Sequence, residues 1–204
     1  MKAKALAAYK PGGLLEDHRF ELEVLPEHYV RIKVLYCGLS RSDFNMINND
    51  WFMSEYPLVP GHEVIGVIVD KGDAVTKFHL HERVGLGWHS EYCLTCELCD
   101  SGNHHLCPQA RATVVGRNGG LANYVDAHAQ SVVSIPNQLS SDSCPPLLSA
   151  GAAVFYPLVE FELPPRCQAA IIGVGGLGHL ALDMYLAWGM DVTVFLARTI
   201  TLNI

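Results

Sequence analysis

Four cysteines crowded into one short segment have the types and spacing to do chemistry. They follow the pattern C-x2-C-x2-C-x7-C at Cys93, Cys96, Cys99 and Cys107. Four thiolates can close a tetrahedral shell around Zn²⁺ and leave no open position for a substrate. Residues 91–109 contain no Lys or Arg to offset the thiolate charge, which favours a bound cation. The spacing predicts a structural zinc site; the alternative is four unrelated thiols in one loop.

A glycine-rich turn later in the chain has the spacing G-x-G-x-x-G. It follows an apolar run at 169–172 and opens an apolar helical pattern at 177–188. In that context such a turn holds the pyrophosphate of a dinucleotide against the helix N-terminus. A plain glycine-rich turn is the alternative. The residues predicted to bind the cofactor here are Gly173, Gly175, Gly176, Leu177 and Gly178.

The position that selects between NAD and NADP lies about 20 residues after such a turn. A carboxylate there binds the ribose 2′-hydroxyl of NAD. This chain has Leu196, Ala197 and Arg198 instead. The arginine favours NADP(H), although a solvated side chain explains Arg198 equally well when it is taken alone.

The predicted secondary structure that positions these motifs changes along the chain from mostly β to mixed α and β. Up to about residue 137, short β-segments alternate with Gly, Pro and Asn/Asp turns, which is typical of a barrel or sandwich. A helix is then expected to start at 140–142 and to run buried over 147–159, before a linker at 163–166. The predicted strands are 4–8, 29–36, 63–69, 122–125, 132–135, 169–172 and 192–195. The last two are expected to be buried and to form a βαβ unit with the helix between them, which should end at Gly189.

Composition excludes several other classes of protein. The 204 residues are 50% hydrophobic and 17% charged, with a net charge of −7 and no basic stripe. Neither nucleic acid nor a membrane surface is therefore expected as a partner. No apolar run is long enough to span a membrane, and clustered thiols indicate metal rather than disulfides, so we expect a cytoplasmic protein.

Taken together and in order, these motifs resemble the zinc-containing medium-chain alcohol dehydrogenases, specifically the cinnamyl-alcohol-dehydrogenase-like branch. Three further segments carry the resemblance: CGLSRSD at 37–43, YPLVPGHE at 56–63 and PLLSAG at 146–151. The resemblance implies a mixed β and α/β fold. A GroES-like β-barrel catalytic domain would span 1–160, with the zinc lobe at 89–108. The first βαβ unit of a Rossmann NADP-binding domain would follow at 165–204.

In that family a catalytic zinc ion is held by a Cys, a His and a second Cys. The matching positions here are Ser40, His62 and Ser149. A hydroxyl stays protonated near neutral pH and compensates little of the zinc charge, so we expect this second ion to be held weakly or not at all. An equally good interpretation is that His62 is not a zinc ligand but a core histidine whose ring is satisfied by local hydrogen bonds.

Three more catalytic assignments follow from the resemblance. Ser42 matches the hydroxyl that starts the family's proton relay, although Asn45 stands where many relatives have a histidine. Asp43 and Glu63 match the carboxylates that support the zinc ligands.

The resemblance implies NADPH-dependent hydride transfer to a small aldehyde, or the reverse reaction on an alcohol. With both zinc cysteines replaced and only one βαβ unit present, we expect this chain to be impaired or inactive, and to be a truncated product or a fragment. The alternative is a non-catalytic, zinc-stabilised remnant or interaction module. Relatives often dimerise through a Rossmann sheet edge that these 204 residues do not contain.

Overall fold

The structure is a computed structural model, and it describes residues 2–196. The chain divides into two compact units between Leu148 and Ser149. None of the helices described is both long and apolar enough to cross a lipid bilayer. The assignment of the catalytic domain to 1–160 and of a partial Rossmann domain to 165–204 stays a prediction.

A five-stranded antiparallel sheet forms the core of the first unit. Its strands, in their order across the sheet, are β8 (Tyr124–His128), β3 (Tyr29–Gly38), β4 (Glu63–Lys71), β5 (Arg83–Leu86) and β9 (Val132–Ser134). Its strands are rich in β-branched residues that alternate between the two faces, and the inward set forms one buried cluster around Phe78. Two register shifts, at Arg31/Ile32 and Val34/Tyr36, bend the sheet.

Two small antiparallel pairs complete the strands of the first unit. β1 (Lys2–Ala7) pairs with β2 (Glu16–Glu21). β6 (His89–Glu91) pairs with β7 (Arg111–Ala112), so the two ends of the cysteine segment are held side by side.

Two helices of the first unit lie next to the predicted sites. The α1 helix (Arg41–Asn48) connects β3 to the chain that leads into β4, and α2 (Glu97–Asp100) lies within the cysteine segment. The predicted mixed β and α/β fold is therefore present, and the expected strands of the first unit appear with shifted ends.

The expected helix start at 140–142 is wrong. Residues 145–148 form a short 3₁₀ turn, and α3 begins only at Ala150 and ends at Glu160. Ser149 has φ −128° and ψ −74°, outside the helical region, so it separates the turn from the helix. Two consecutive prolines at 145 and 146 lack N–H groups, which limits them to a first turn.

The second unit contains the predicted βαβ arrangement. β10 (Gln168–Ile172) and β11 (Asp191–Phe195) are parallel, with α4 (Gly176–Trp188) between them in the chain. The helix ends at Gly189, whose φ of 92° is left-handed, as expected.

The prediction that both strands of this unit are buried is wrong. Ile171 is buried, but Ile172 and Phe195 are 88% and 56% exposed. Within the described residues the sheet has two strands, and alternate side chains point away from α4. A two-stranded sheet covered on one face leaves its other face open.

Candidate functional site

The four cysteines predicted to bind zinc converge. Their Sγ atoms all lie within 4.8 Å of one another. Cys93 Sγ is 3.4 Å from Cys107 Sγ and 3.9 Å from Cys99 Sγ, and all are free thiols. A disulfide needs about 2.05 Å, whereas tetrahedral zinc with sulfurs at about 2.3 Å places them about 3.8 Å apart. The donor set and its spacing therefore fit a tetrahedral metal ion.

Local backbone geometry brings these sulfurs together. Leu94 adopts a left-handed φ of 57°, which turns the chain between the first two cysteines. Cys96 is the N-cap of α2, and a 3₁₀ turn at His104–Leu106 delivers Cys107. The half-buried His104 and the exposed His105 lie in this turn and are not part of the cysteine cluster.

The thiols of the cluster are electrostatically unequal. A hydrogen bond from the Thr95 backbone lowers the pKa of Cys93 to about 6. Burial raises the pKa of Cys99 to about 12. Without a cation, the four thiols cannot all ionise close together, whereas a divalent ion would stabilise every thiolate.

A second group of predicted site residues surrounds His62. Its side chain is 1% exposed, and its Nδ1 lies 3.1 Å from Oδ1 of Asp43, which is equally buried. On the other side of the ring, Nε2 lies 3.4 Å from Oγ of Ser40. The structure thus brings Ser40, Asp43 and His62 together, although they lie on α1 and on the loop before β4.

Asp43 organises this group through both carboxylate oxygens. Oδ2 accepts the Ser40 backbone N–H at 2.8 Å, which completes a capping box at the start of α1. Oδ1 accepts the Gly61 N–H at 2.8 Å and contacts His62. Burial opposes the charge, but these bonds outweigh it and hold the pKa of Asp43 below its usual value. Asp43 is therefore an ionised carboxylate that fixes the orientation of the imidazole.

The remaining predicted catalytic residues occupy three different places. Glu63 begins β4 opposite Gly38 and is 3% exposed; a Cβ at Gly38 would overlap its carboxylate. Ser42 is half-buried in the first turn of α1, and its backbone N–H donates to Ser40 Oγ at 3.1 Å. Ser149 is the N-cap residue of α3 in the second unit, and its grouping with His62 stays a prediction.

Two tryptophans make the neighbourhood of His62 aromatic. The Trp88 ring stands edge-on to the imidazole with centroids 5.0 Å apart. Trp51 stands edge-on to Trp88 at 5.9 Å and is 43% exposed. An aromatic surface therefore leads from solvent toward His62.

The donors around His62 do not fit a resident zinc ion. Zinc sites in proteins use thiolate, imidazole or carboxylate ligands. Here Nε2 faces a neutral hydroxyl, and the Asp43 oxygen that contacts Nδ1 also accepts the Gly61 N–H. A hydroxyl adds little charge compensation, so Ser40 does not supply the charge of the cysteine ligand that the family has there.

The predicted cofactor-binding glycines form a turn with open space on one side. Gly173 has a φ of 87°, and a Cβ on Gly173, Gly175 or Gly176 would meet none of the described atoms within 4 Å. A Cβ on Gly178 would overlap the carbonyl oxygen of Gly173, so this glycine permits the close approach of α4 to the turn. Leu177 is 52% exposed in the first turn of α4. Arg198 lies outside the described residues.

A family comparison decides the relationship of the chain. Residues 26–137 match the family model described as the alcohol dehydrogenase GroES-like domain. The chain belongs to this family.

Individual relatives agree with the family match. The aldehyde reductase AdhA of Synechocystis is 46% identical over 192 residues, covering 94% of this chain and 57% of that protein. Cinnamyl alcohol dehydrogenase 7 of Arabidopsis thaliana is 35% identical over 201 residues, covering 95% and 56%. The chain therefore spans a little more than half the length of these curated relatives.

Two solved structures confirm the fold over nearly all of the chain. A cinnamyl alcohol dehydrogenase from Sorghum bicolor superposes with a TM-score of 0.92 at 36% identity, covering 96% of this chain and 58% of its own. A Helicobacter pylori cinnamyl alcohol dehydrogenase complexed with NADP(H) gives 0.90 at 27% identity, covering 98% and 60%.

Sequence reasoning missed two glycines that support the His62 group. Gly61, with a left-handed φ of 101°, presents its N–H to Asp43, and Gly38 leaves room for Glu63. Both lie inside segments quoted for the family resemblance, CGLSRSD and YPLVPGHE. Their position beside a predicted site residue was the available signal.

Proposed function

We propose that this chain derives from an NADPH-dependent, zinc-type alcohol dehydrogenase or aldehyde reductase, that it retains the structural zinc site, and that it has lost the catalytic one. The single observation that carries the proposal is the contrast in donors. Four sulfurs lie within 4.8 Å of one another in the lobe, while a hydroxyl faces His62 Nε2.

The zinc of the lobe serves stability. Cys93, Cys96, Cys99 and Cys107 fill a tetrahedral shell, so the ion has no position for a substrate oxygen. It would stabilise the fold of a segment that contains only the four-residue α2 and one 3₁₀ turn as regular structure.

The cofactor proposed for the lineage is NADP(H), which supplies the hydride when bound. Support comes from the open backbone at Gly173, Gly175 and Gly176, with the glycine at 178 allowing close packing of α4. The NADP(H) complex of the Helicobacter pylori relative agrees with this choice of cofactor. Arg198 is proposed to contact the 2′-phosphate.

The substrate class proposed for the lineage is a small aldehyde or alcohol. The relatives are named an aldehyde reductase and cinnamyl alcohol dehydrogenases. The Trp51–Trp88 pair beside His62 suits an aromatic compound. In this chain Ser42 remains as a proton carrier, while Ser40 and Ser149 do not hold the zinc that would polarise the carbonyl, so hydride transfer is expected to be impaired.

The test combines metal content with activity. The purified chain should hold one zinc per polypeptide after dialysis against a weak chelator, measured by elemental analysis. It should reduce cinnamaldehyde with NADPH at a rate indistinguishable from buffer. Two tightly bound zinc ions, or zinc-dependent turnover, would refute the loss of the catalytic site.

A second candidate function is a non-catalytic, zinc-stabilised module. The serine at position 40, where the family has a cysteine ligand, favours this function. A structural role requires only the zinc site of the cysteine lobe. It differs from the first proposal in predicting that the chain does not bind NADPH. Quenching of tryptophan fluorescence, or fluorescence enhancement of NADPH, on titration separates the two.

A further inference from the structure

Asp43, His62 and Ser40 of the first unit form a row of close polar contacts. Asp43 Oδ1 lies 3.1 Å from Nδ1 of His62, and Nε2 of the same ring lies 3.4 Å from Oγ of Ser40. Carboxylate, imidazole and hydroxyl in this order can activate the hydroxyl as a nucleophile. The second distance is long for a hydrogen bond, as is common where no substrate is bound.

The proton positions follow from the partners of each atom. Asp43 already accepts the N–H groups of Ser40 and Gly61, as an ionised carboxylate does. An ionised Oδ1 beside Nδ1 favours a proton on Nδ1, and in the neutral ring Nε2 is then the acceptor. Ser40 Oγ accepts the Ser42 N–H at 3.1 Å, so its own hydrogen is free to point to Nε2.

Burial distinguishes the three groups in the way this chemistry needs. His62 and Asp43 have 1% of their side chains exposed, so water does not compete for the bond between them. Ser40 is only partly buried. The contact between imidazole and carboxylate is therefore shielded from water, and Ser40 is the least buried of the three residues.

We propose that Ser40 is a nucleophile activated by His62 and Asp43, and that this group transfers the acyl group of an activated aryl ester to water. The inference goes beyond hydride transfer. It rests on the proposed loss of catalytic zinc, because a metal ion on Nε2 would occupy the base.

The proposed reaction balances without any cofactor. Ser40 Oγ forms a bond to the carbonyl carbon while its proton moves to His62 Nε2. The ester C–O bond breaks, and the leaving phenolate takes that proton. Water then attacks the acyl carbon and gives a proton to Nε2, and the acyl–Oγ bond breaks as the proton returns to Ser40. One ester and one water yield one acid and one phenol.

The surroundings favour an aryl ester over an alkyl one. Trp88 stands edge-on to His62 at 5.0 Å, and the partly exposed Trp51 stands edge-on to Trp88. Offset and edge-on contacts between aromatic rings are favourable, so an aryl leaving group can rest on this pair.

Two probes test the proposal on the purified 204-residue chain with its lobe zinc in place. p-Nitrophenyl acetate reports ester cleavage by the release of nitrophenol. A fluorophosphonate labels an activated serine with loss of fluoride, and peptide mass mapping locates the adduct. The variants are Ser40→Gly, which removes the hydroxyl and still suits an N-cap, and Asp43→Asn, which disturbs the imidazole tautomer. Ser54→Ala is the matched control, a half-buried serine whose Oγ donates to the Met46 carbonyl of α1.

We expect the adduct to map to Ser40. General-base assistance accounts for factors of about 10² or more, so ester cleavage should fall at least about tenfold in Ser40→Gly and Asp43→Asn. Ser54→Ala should stay within about twofold of the native rate. Circular dichroism and retention of one zinc per chain verify that each variant is folded.

A map without Ser40 modification, or an equal rate of Ser40 labelling in folded Asp43→Asn, would overturn the inference. The native adduct map decides the question even if a variant fails to fold. One zinc per chain with no Ser40 adduct refutes only this inference. Two zinc ions per chain refute the proposed function as well.

Discussion

The cysteine lobe and the His62 group lie in the same unit but differ in where their parts come from. All four sulfurs of the lobe belong to the segment 93–107 and meet within 4.8 Å. The His62 group joins side chains that are 22 and 19 positions apart in the chain. A local site depends on spacing within one loop, whereas a dispersed site depends on the packing of separate elements.

The two regions also differ in whether they contain metal-binding atoms or only the contacts that would support them. In the lobe the atoms that would touch the metal are intact. Around His62, the supporting contacts of Asp43 to Ser40, Gly61 and the imidazole are intact, but the atom facing Nε2 is oxygen. Under the proposed loss of the catalytic zinc, these supporting contacts are maintained because they also cap α1 and satisfy buried groups.

The largest effect is expected from removing one sulfur of the cysteine lobe. In Cys99→Ser we expect zinc to be lost and residues 91–109 to lose protection from hydrogen exchange. Structural zinc contributes about 10 kcal/mol or more of binding free energy, which exceeds the stability of most domains. Elemental analysis and exchange mass spectrometry measure both effects. Cys167→Ser, in the second unit, should keep its zinc; stoichiometric zinc in Cys99→Ser would place the ion elsewhere.

Restoring sulfur at the dispersed site should have the next largest effect. The double variant Ser40→Cys/Ser149→Cys should bind two zinc ions per chain where the native protein binds one. Two thiolates add the charge that hydroxyls do not supply. Replacing zinc by cobalt should add thiolate-to-metal charge-transfer absorption. The matched Ser40→Ala/Ser149→Ala variant should stay at one ion. If the cysteine variant also stays at one, the two serines do not mark a former metal site.

Removing the charge of Asp43 tests whether the supporting contacts stabilise the fold. Asp43→Asn should lower the free energy of unfolding at neutral pH by about 2–3 kcal/mol, since hydrogen bonds to a buried charge are lost. The exposed Asp70, 3.8 Å from Arg31, provides a control in which Asp→Asn should cost less than about 1 kcal/mol.

The same substitution predicts a change in pH dependence. The pKa of Asp43 is lower in the folded state, so its stabilisation is present above the unfolded value and is lost as pH falls through the folded one. That window lies below about pH 4. Urea unfolding across this range should show a smaller loss of stability in Asp43→Asn than in the native chain. Identical slopes would contradict the assignment of a lowered pKa.

The smallest effects are expected at the glycine turn, where the predicted cofactor contacts come from the backbone. Gly178→Ala should destabilise the second unit by about 1–3 kcal/mol, because its Cβ overlaps the Gly173 carbonyl oxygen. Gly175→Ala meets open space and has a negative φ of −87°, so stability should be unchanged. Thermal unfolding compares the two. NADPH titration should show weaker binding in Gly175→Ala if that space holds a phosphate, and unchanged binding would argue against the cradle.

The prediction of the second unit from sequence was partly right, for a physical reason. The βαβ order, the end of α4 at Gly189 and the close packing at Gly178 follow from local signals. Burial of β10 was inferred from its apolar sequence, and it failed because burial depends on neighbouring elements; Ile172 is apolar and 88% exposed. The start of α3 was misplaced because capping residues at 140–142 precede two prolines that delay the helix.

The sequence by itself determined the cysteine lobe, the glycine turn and the serine at position 40, because these depend only on residue types and short spacings. Only the tertiary structure decided which atoms surround the ring of His62. Packing of α1 against the loop before β4 sets Asp43 on one nitrogen of His62 and Ser40 on the other. It also brings Trp88 against the same ring. No local pattern specifies which nitrogen faces which partner, because that is fixed by contacts between segments distant in the chain.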